Sequence, residues 1–73
     1  MKTYLKVLFA SDGGKPSAIG AALRNLGFEP VHGPHDFVYN WPQAAAVADT
    51  LHFGDRIHAE LQGLGCLFEM ETI

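Results

Sequence analysis

The chain is organised around the sequence LKVLFASDGGKPS, residues 5–17. An apolar strand here runs into a glycine pair and then into a helix start, where Pro16 suits the first turn because its missing N–H leaves no helical bond unmade. A strand followed at once by a helix belongs at the centre of a small layered domain. The loop between the two is therefore the first place to look for a binding site.

The residues around this stretch predict the first strand and the first helix. Residues 2–10 alternate as a strand does. The side chains expected to face a helical layer are Thr3, Leu5, Val7 and Phe9, and the opposite side carries Lys2, Tyr4, Lys6 and Leu8. The first helix begins at Pro16, with Ser17 as an alternative cap. Its apolar residues recur at helical spacing before Gly27: Ile19, Ala22, Leu23 and Leu26.

Two short strands are predicted next. Residues 28–32 form the second strand, and Pro30 confines it to a sheet edge because proline cannot donate to a ladder. After the Gly33-Pro34 turn, residues 35–41 form a third, half-buried strand. Its aromatic face holds Phe37, Tyr39 and Trp41, and its other face holds Asp36, Val38 and Asn40.

The C-terminal half predicts a second helix and a last strand. Residues 43–48 fit either a helical turn or an irregular connection, and the helix runs from about Thr50, with Asp49 or Thr50 as its cap. Its sheet-facing stripe is expected to be Leu51, Gly54, Ile57, His58 and Leu61. Residues 66–73 form the last strand, with Cys66, Phe68 and Met70 inward and Leu67, Glu69 and Glu71 outward.

The order β-α-β-β-α-β predicts one α+β domain over residues 1–73. Its layout is the ferredoxin-like sandwich, a four-stranded antiparallel sheet with both helices on one face. The second strand is then one edge, as Pro30 requires independently, and the last strand is the other edge, beside the first. Across the open face, Lys2 and Lys6 are expected to meet Glu71 and Glu69.

The charge, the apolar content and the cysteine count of the chain favour some classes of function over others. Five Lys and Arg against eight Asp and Glu give a net charge of −3, which counts against a nucleic-acid partner because phosphate binding depends on cations. Apolar residues make up 48% of a short chain, so we expect an apolar surface patch. The single Cys66 excludes an internal disulfide framework. No apolar run or leader pattern points to a membrane or to export, and a cytoplasmic protein is expected.

The loop after the first strand carries Asp12, Gly13, Gly14, Lys15 and Ser17. Backbone N–H groups at a helix N-terminus, a lysine and a hydroxyl are groups that hold a phosphate or a carboxylate. The loop is therefore a candidate site for a small anionic ligand, although its spacing is not that of a P-loop. The alternative interpretation is a glycine turn in front of a capped helix.

The four histidines do not predict a metal site. His32 and His35 flank the Gly33-Pro34 turn, whereas His52 and His58 are six residues apart on the second helix, a spacing that does not place two ligands on one face. Because no third ligand stands at a fixed spacing, no metal and no other cofactor is expected.

In element order the chain resembles two families. RNA-recognition domains share the order, but only Phe37-Val38 of their third-strand signature is present, and Asp36 puts an anion where a phosphate would pass. RNA binding is therefore not expected. The chain resembles ACT-type regulatory domains in length, in topology and in a glycine-bearing loop, here Gly13-Gly14. That resemblance implies a sensor that binds an amino acid or another anionic ligand at a subunit interface.

The sequence favours a non-enzymatic interaction or regulatory module. It is expected to form a homodimer, or to bind a protein partner, through the open sheet face or the last strand. The contact residues expected are Tyr4, Leu8, Val38, Leu67 and Ile73. Three alternatives stay open: the ACT-like sensor, a nucleic-acid binder, and a metal-dependent nuclease-like dimer in which Asp12 ends the first strand.

Overall fold

The computed structural model describes residues 1–73 and confirms the predicted ferredoxin-like order. Its elements are β1 (Lys2–Phe9), α1 (Pro16–Asn25), β2 (Glu29–Pro30), β3 (Phe37–Asn40), α2 (Val47–Leu61) and β4 (Cys66–Thr72). The strands form one antiparallel sheet in the order β2-β3-β1-β4, with β2 and β4 at its edges. Neither helix has the length and apolarity needed to cross a lipid bilayer.

Strand β1 is the inner strand on which both helices pack through its alternate side chains. It runs antiparallel to β4 over seven residue pairs and to β3 over four. The inward alternation predicted for β1 is confirmed at Thr3, Leu5 and Val7, which are buried. Phe9 is 46% exposed, because it is the last residue of the strand. The buried apolar core is Leu5, Val7, Ile19, Leu23, Phe28, Phe53, Ile57 and Leu61.

Strands β2 and β3 are shorter than the predicted ranges 28–32 and 35–41. Pro30 donates no ladder bond. At Asp36 the pairing with β1 becomes irregular. The Asp36 N–H donates to the Leu5 carbonyl, but the Val7 N–H donates to the Asp36 carboxylate at 2.8 Å, and the Asp36 carbonyl accepts from the Val31 N–H instead. The regular pairing of β3 therefore starts only after this residue. The predicted inward faces of β3 and β4 are confirmed, since these side chains pack against the core: Phe37, Tyr39, Trp41, Cys66, Phe68 and Met70.

Helix α2 starts earlier than predicted. Residues 43–46 are irregular, and the helix begins at Val47 rather than near Thr50. The predicted cap is wrong, because Asp49 lies inside the first turn and its carboxylate accepts a hydrogen bond from the Ala46 N–H at 2.9 Å. A carboxylate in this position satisfies a donor at the helix start from within the helix.

The buried stripe of α2 is Phe53, Ile57 and Leu61. The predicted stripe is wrong at Leu51, which is 65% exposed, and at His58, which is also exposed. Gly54 shows the reason. A Cβ built on it would lie 3.5 Å from the Met70 sulfur of β4, so this glycine lies on the β4 side of the helix. The core-facing residue is its neighbour, Phe53, which stacks on Phe28 with ring centroids 5.5 Å apart.

Two loops meet at the end of β1. The Gly14 N–H donates to the Leu64 carbonyl at 2.6 Å, and Gly13 lies against Gly65. A Cβ at Gly13 would overlap the Gly65 carbonyl oxygen, and a Cβ at Gly14 would lie 2.9 Å from the Leu64 carbonyl oxygen. The glycine pair is therefore required by the close approach of the β1–α1 loop to the α2–β4 loop.

Gly13→Ala should lower the free energy of unfolding by about 1–3 kcal/mol, because the added methyl meets backbone rather than a movable side chain. Gly20→Ala is the matched control. A Cβ there lies 3.9 Å from the Phe37 ring, and alanine in a helix is worth up to about 1 kcal/mol more than glycine. Chemical denaturation measures both, and equal stabilities would contradict the loop contact.

Candidate functional site

The sheet surface that faces away from the helices, the open face, carries most of the predicted contact residues. It presents Lys2, Tyr4, Lys6 and Leu8 from β1, Glu29 from β2, Val38 and Asn40 from β3, and Leu67, Glu69 and Glu71 from β4. The strand register places Tyr4 opposite Val38 and Leu8 opposite Leu67. The fifth predicted residue, Ile73, follows β4 and is 71% exposed.

One end of the open face is apolar. Leu8 and Leu67 lie directly opposite each other and are 57% and 69% exposed. With Lys6 and Glu69 they border a shallow depression of about 330 Å³. Two facing leucines in water form an apolar surface whose burial against another chain would be favourable.

The middle of the open face is charged. Lys6 lies opposite Glu69, as predicted, but the two charged groups form no ion pair. Lys2 is bonded through its backbone to Ile73 and so does not lie opposite Glu71. The facing of Lys6 and Glu69 is therefore confirmed, and the facing of Lys2 and Glu71 is wrong because the register pairs Lys2 with Ile73. An exposed pair such as Lys6 and Glu69 gains little from an ion pair in water. Lys6 and Glu69 therefore keep their charges available to a partner.

His35 also lies over the open face, a position that the sequence did not indicate. Its Nε2 is 3.4 Å from a Glu71 carboxylate oxygen, and its ring centroid is 4.9 Å from that of Tyr4. The sequence placed His35 at a hairpin tip with His32. Its actual position follows from Asp36, which two hydrogen bonds tie to β1, one from its N–H and one to its carboxylate.

In the candidate anion loop, residues 12–17, two backbone N–H groups already form hydrogen bonds within the chain. The N–H groups of Gly13 and Gly14 both donate to carbonyl oxygens of the chain. Asp12, Lys15 and Ser17 are exposed. A small anionic ligand at this loop stays a prediction, and its recognition would depend on the Lys15 ammonium and the Ser17 hydroxyl rather than on the glycine amides.

A second concave region lies between the end of β3 and α2. The rings of Tyr39, Trp41 and Phe53 pack with centroids between 4.6 and 5.2 Å apart, and the Arg56 guanidinium lies 5.8 Å from the Phe53 ring centroid. Trp41 Nε1–H donates to the buried Thr3 hydroxyl at 2.8 Å. The depression there measures about 180 Å³. The rings are held by one another and by this hydrogen bond, so the region is the edge of the core.

The remaining candidate groups are accounted for within the fold. No group of three or more His, Cys, Asp or Glu side chains is arranged to hold a metal ion. Cys66 is half-buried at the start of β4 and packs against the core, as its place in the sequence indicated. Every buried side-chain polar atom has a hydrogen-bond partner.

These features define an α+β domain with a ferredoxin-like layout and an open sheet face of mixed chemistry. Comparison with protein-family models, with curated proteins and with solved structures finds no match to the chain.

Asp36→Ala should release His35 from the open face and destabilise the domain by about 1 kcal/mol, because the Val7 N–H loses its acceptor. Asp36→Asn is the matched control, since it keeps an acceptor oxygen. Two NMR observables check this: the amide exchange rate of Val7 and the nuclear Overhauser contact between the His35 and Tyr4 rings. Slow Val7 exchange in the alanine variant would show that the carboxylate does not hold this end of the sheet.

Proposed function

We propose that this chain is an interaction module that forms a homodimer by packing the open faces of two copies together. The observation that carries the proposal is the register of β1 and β4. It places a cation opposite an anion, Lys6 and Glu69, next to a leucine opposite a leucine, Leu8 and Leu67. We also infer a cytoplasmic setting from the single free Cys66.

A two-fold axis parallel to the strands and between β1 and β4 fits this register. It lays β1 of one copy over β4 of the other at the same height along the strands. Lys6 then lies over Glu69 of the partner subunit, and Leu8 lies over Leu67 of the partner subunit. Because the interface is symmetric, each of these contacts is made twice.

Other positions of a parallel axis bring like charges together. An axis along β1 would stack Lys6 on Lys6 of the partner subunit. Glu29, Val38, Tyr4 and Glu71 form one row across the sheet. An axis between β3 and β1 would therefore place Glu71 over Glu29 of the partner subunit. Facing like charges cost free energy, so electrostatics favour the axis between β1 and β4.

The leucines supply most of the expected gain. Burying one leucine side chain fully is worth roughly 1.5–3 kcal/mol, whereas an exposed ion pair contributes about 0–1 kcal/mol. Only two strands of each copy overlap in this arrangement, so the interface is smaller than a standard one and the association is expected to be weak. The ion pairs between the subunits then determine how the two copies are aligned, and they contribute little to the free energy of association.

Sedimentation equilibrium across a concentration series tests the homodimer. The protein should dimerise as its concentration rises, and Leu67→Lys should shift it to monomer because a charge replaces a buried apolar contact. Leu51→Lys is the matched control, since this leucine is 65% exposed against 69% for Leu67 but lies on α2. A protein that stays monomeric at every concentration would contradict the proposal.

A charge exchange tests the axis. Lys6→Glu and Glu69→Lys should each weaken the dimer, and the double variant should recover most of the affinity, because both cross-subunit pairs are restored. Lys2→Glu makes the same charge change on the same strand, but opposite Ile73, and should have a smaller effect. If the double variant is as weak as the single variants, the axis is wrong even where a dimer persists.

A further inference from the structure

Strand β4 presents a row of backbone groups that no residue of the chain pairs with. Lys2 and Ile73 exchange two hydrogen bonds of 2.9 Å, so they form a bonded pair of the antiparallel ladder. Bonded pairs recur at every second residue of an antiparallel ladder. The β4 residues that bond β1 through their backbone are therefore Leu67, Glu69, Glu71 and, just after the strand, Ile73. The residues between them direct their N–H and C=O groups to the free edge: Cys66, Phe68, Met70 and Thr72.

The two edge strands of the sheet differ in length and in the backbone groups that they leave unpaired. Strand β2 is two residues long and contains Pro30, so it offers little to an added strand. Strand β4 is seven residues long, contains no proline, and pairs with β1 without a bulge from Thr72 to Cys66. A long, regular edge with free donors and acceptors is a template for a further strand.

We propose that the free edge of β4 binds an extended segment of another protein as a fifth strand, and that this segment alternates basic and apolar residues. Its backbone would pair with the outward groups of Phe68 and Met70. The site lies in the plane of the sheet, beside the open face rather than on it. The backbone pairing is therefore independent of whether two copies pack through their open faces, and the two arrangements share only the carboxylates of Glu69 and Glu71.

The basic residues of the added strand are inferred from the two carboxylates that β4 carries on the open face. Glu69 and Glu71 are exposed and project from the open face. Side chains directly opposite them on an added strand have their Cβ atoms about 4.5–5.5 Å away, where opposite charges attract. A lysine or arginine at these two alternate positions would pair with them.

The apolar residues of the added strand are inferred from the side of the sheet at β4 that faces the helices. The positions of the added strand opposite Phe68 and Met70 lie on the helical side of the sheet. Helix α2 borders this side, because Gly54 lies over Met70. Leu51, one turn before Gly54 on the helix, is 65% exposed. Apolar side chains at the intervening positions would extend the core toward it.

A second copy of β4 fits this edge less well than a basic strand does. The antiparallel register that uses all the outward groups puts Glu69 opposite Glu69 of the partner subunit. Either shift by two residues gives up one of the four bonded pairs, and one of the two shifts puts Glu69 opposite Glu71 of the partner subunit. Directly opposed like charges are destabilising. The acidic pair therefore acts against self-pairing of the edge and in favour of a basic partner.

Calorimetric titration with two synthetic peptides tests the charge requirement. The probe is acetyl-Thr-Val-Lys-Val-Lys-Val-Thr-amide, and its control has glutamate in place of each lysine. Only the lysine peptide should bind, and Glu69→Gln or Glu71→Gln should weaken binding several-fold. Glu29→Gln is the matched control, since it removes the same charge from β2, at the opposite edge. Equal binding of the two peptides, or no binding of the lysine peptide, would overturn the proposal.

A backbone change separates strand addition from plain charge attraction. Cys66 is the first residue of β4, so a synthetic segment 66–73 can be joined to residues 1–65 by native chemical ligation. N-methylation of Met70 in that segment removes a donor that points to the free edge while keeping the side chain. Affinity for the lysine peptide should fall about tenfold with the melting temperature unchanged. Full affinity of the methylated protein, or an effect of Glu29→Gln equal to that of Glu71→Gln, would overturn the proposal.

Discussion

The register between β1 and β4 determines which side chains are buried under the helices and which face water on the other side of the sheet. It runs from Thr3 opposite Thr72 to Phe9 opposite Cys66 without interruption. A slip of one residue in β1 would turn Leu5 and Val7 to water and Lys6 into the core, because successive side chains point to opposite faces. The same register decides which charges and leucines share the open face, and which backbone groups of β4 are left at the edge.

The small core leaves apolar side chains on the surface of the sheet. Only nine of the 73 residues are buried, because a domain this small has little interior. Apolar residues must then remain at the surface, and several of them lie on or next to the open face: Leu8, Leu67 and Ile73. The edge of β4 and the open face meet at Glu69 and Glu71. Proteins that approach either surface therefore meet the same two carboxylates.

The element order, the edge position of β2 and the faces of the strands could be predicted from the sequence, because each depends on neighbours close in the chain. Pro30 alone confines β2 to an edge, and the alternation in β4 shows which side chains point inward. Gly27 ends the first helix with a φ of 101°, a conformation that glycine adopts without strain.

The rest depends on contacts between distant residues. The buried face of α2 is set by the rotation of the helix against β4. This rotation keeps Gly54 on the sheet side, as predicted, but it buries Phe53 and leaves Leu51 and His58 exposed. His35 reaches the open face because the Asp36 carboxylate bonds the Val7 N–H, 29 positions away in the chain. Lys2 misses Glu71 because the register of β1 and β4 pairs it with Ile73, and this register depends on contacts along the whole of both strands.

Amide hydrogen exchange along β4, resolved by NMR, reports the register of β1 and β4 and the free edge of the sheet residue by residue. We expect an alternation: the N–H groups of Leu67, Glu69 and Glu71 exchange slowly because they bond β1, and those of Phe68 and Met70 exchange fast. Packing of two open faces leaves the edge free, so the alternation should persist as the protein concentration rises. Slow exchange at all five residues would mean that the edge is already covered. The opposite alternation would mean that the register, and with it the open face described above, is wrong.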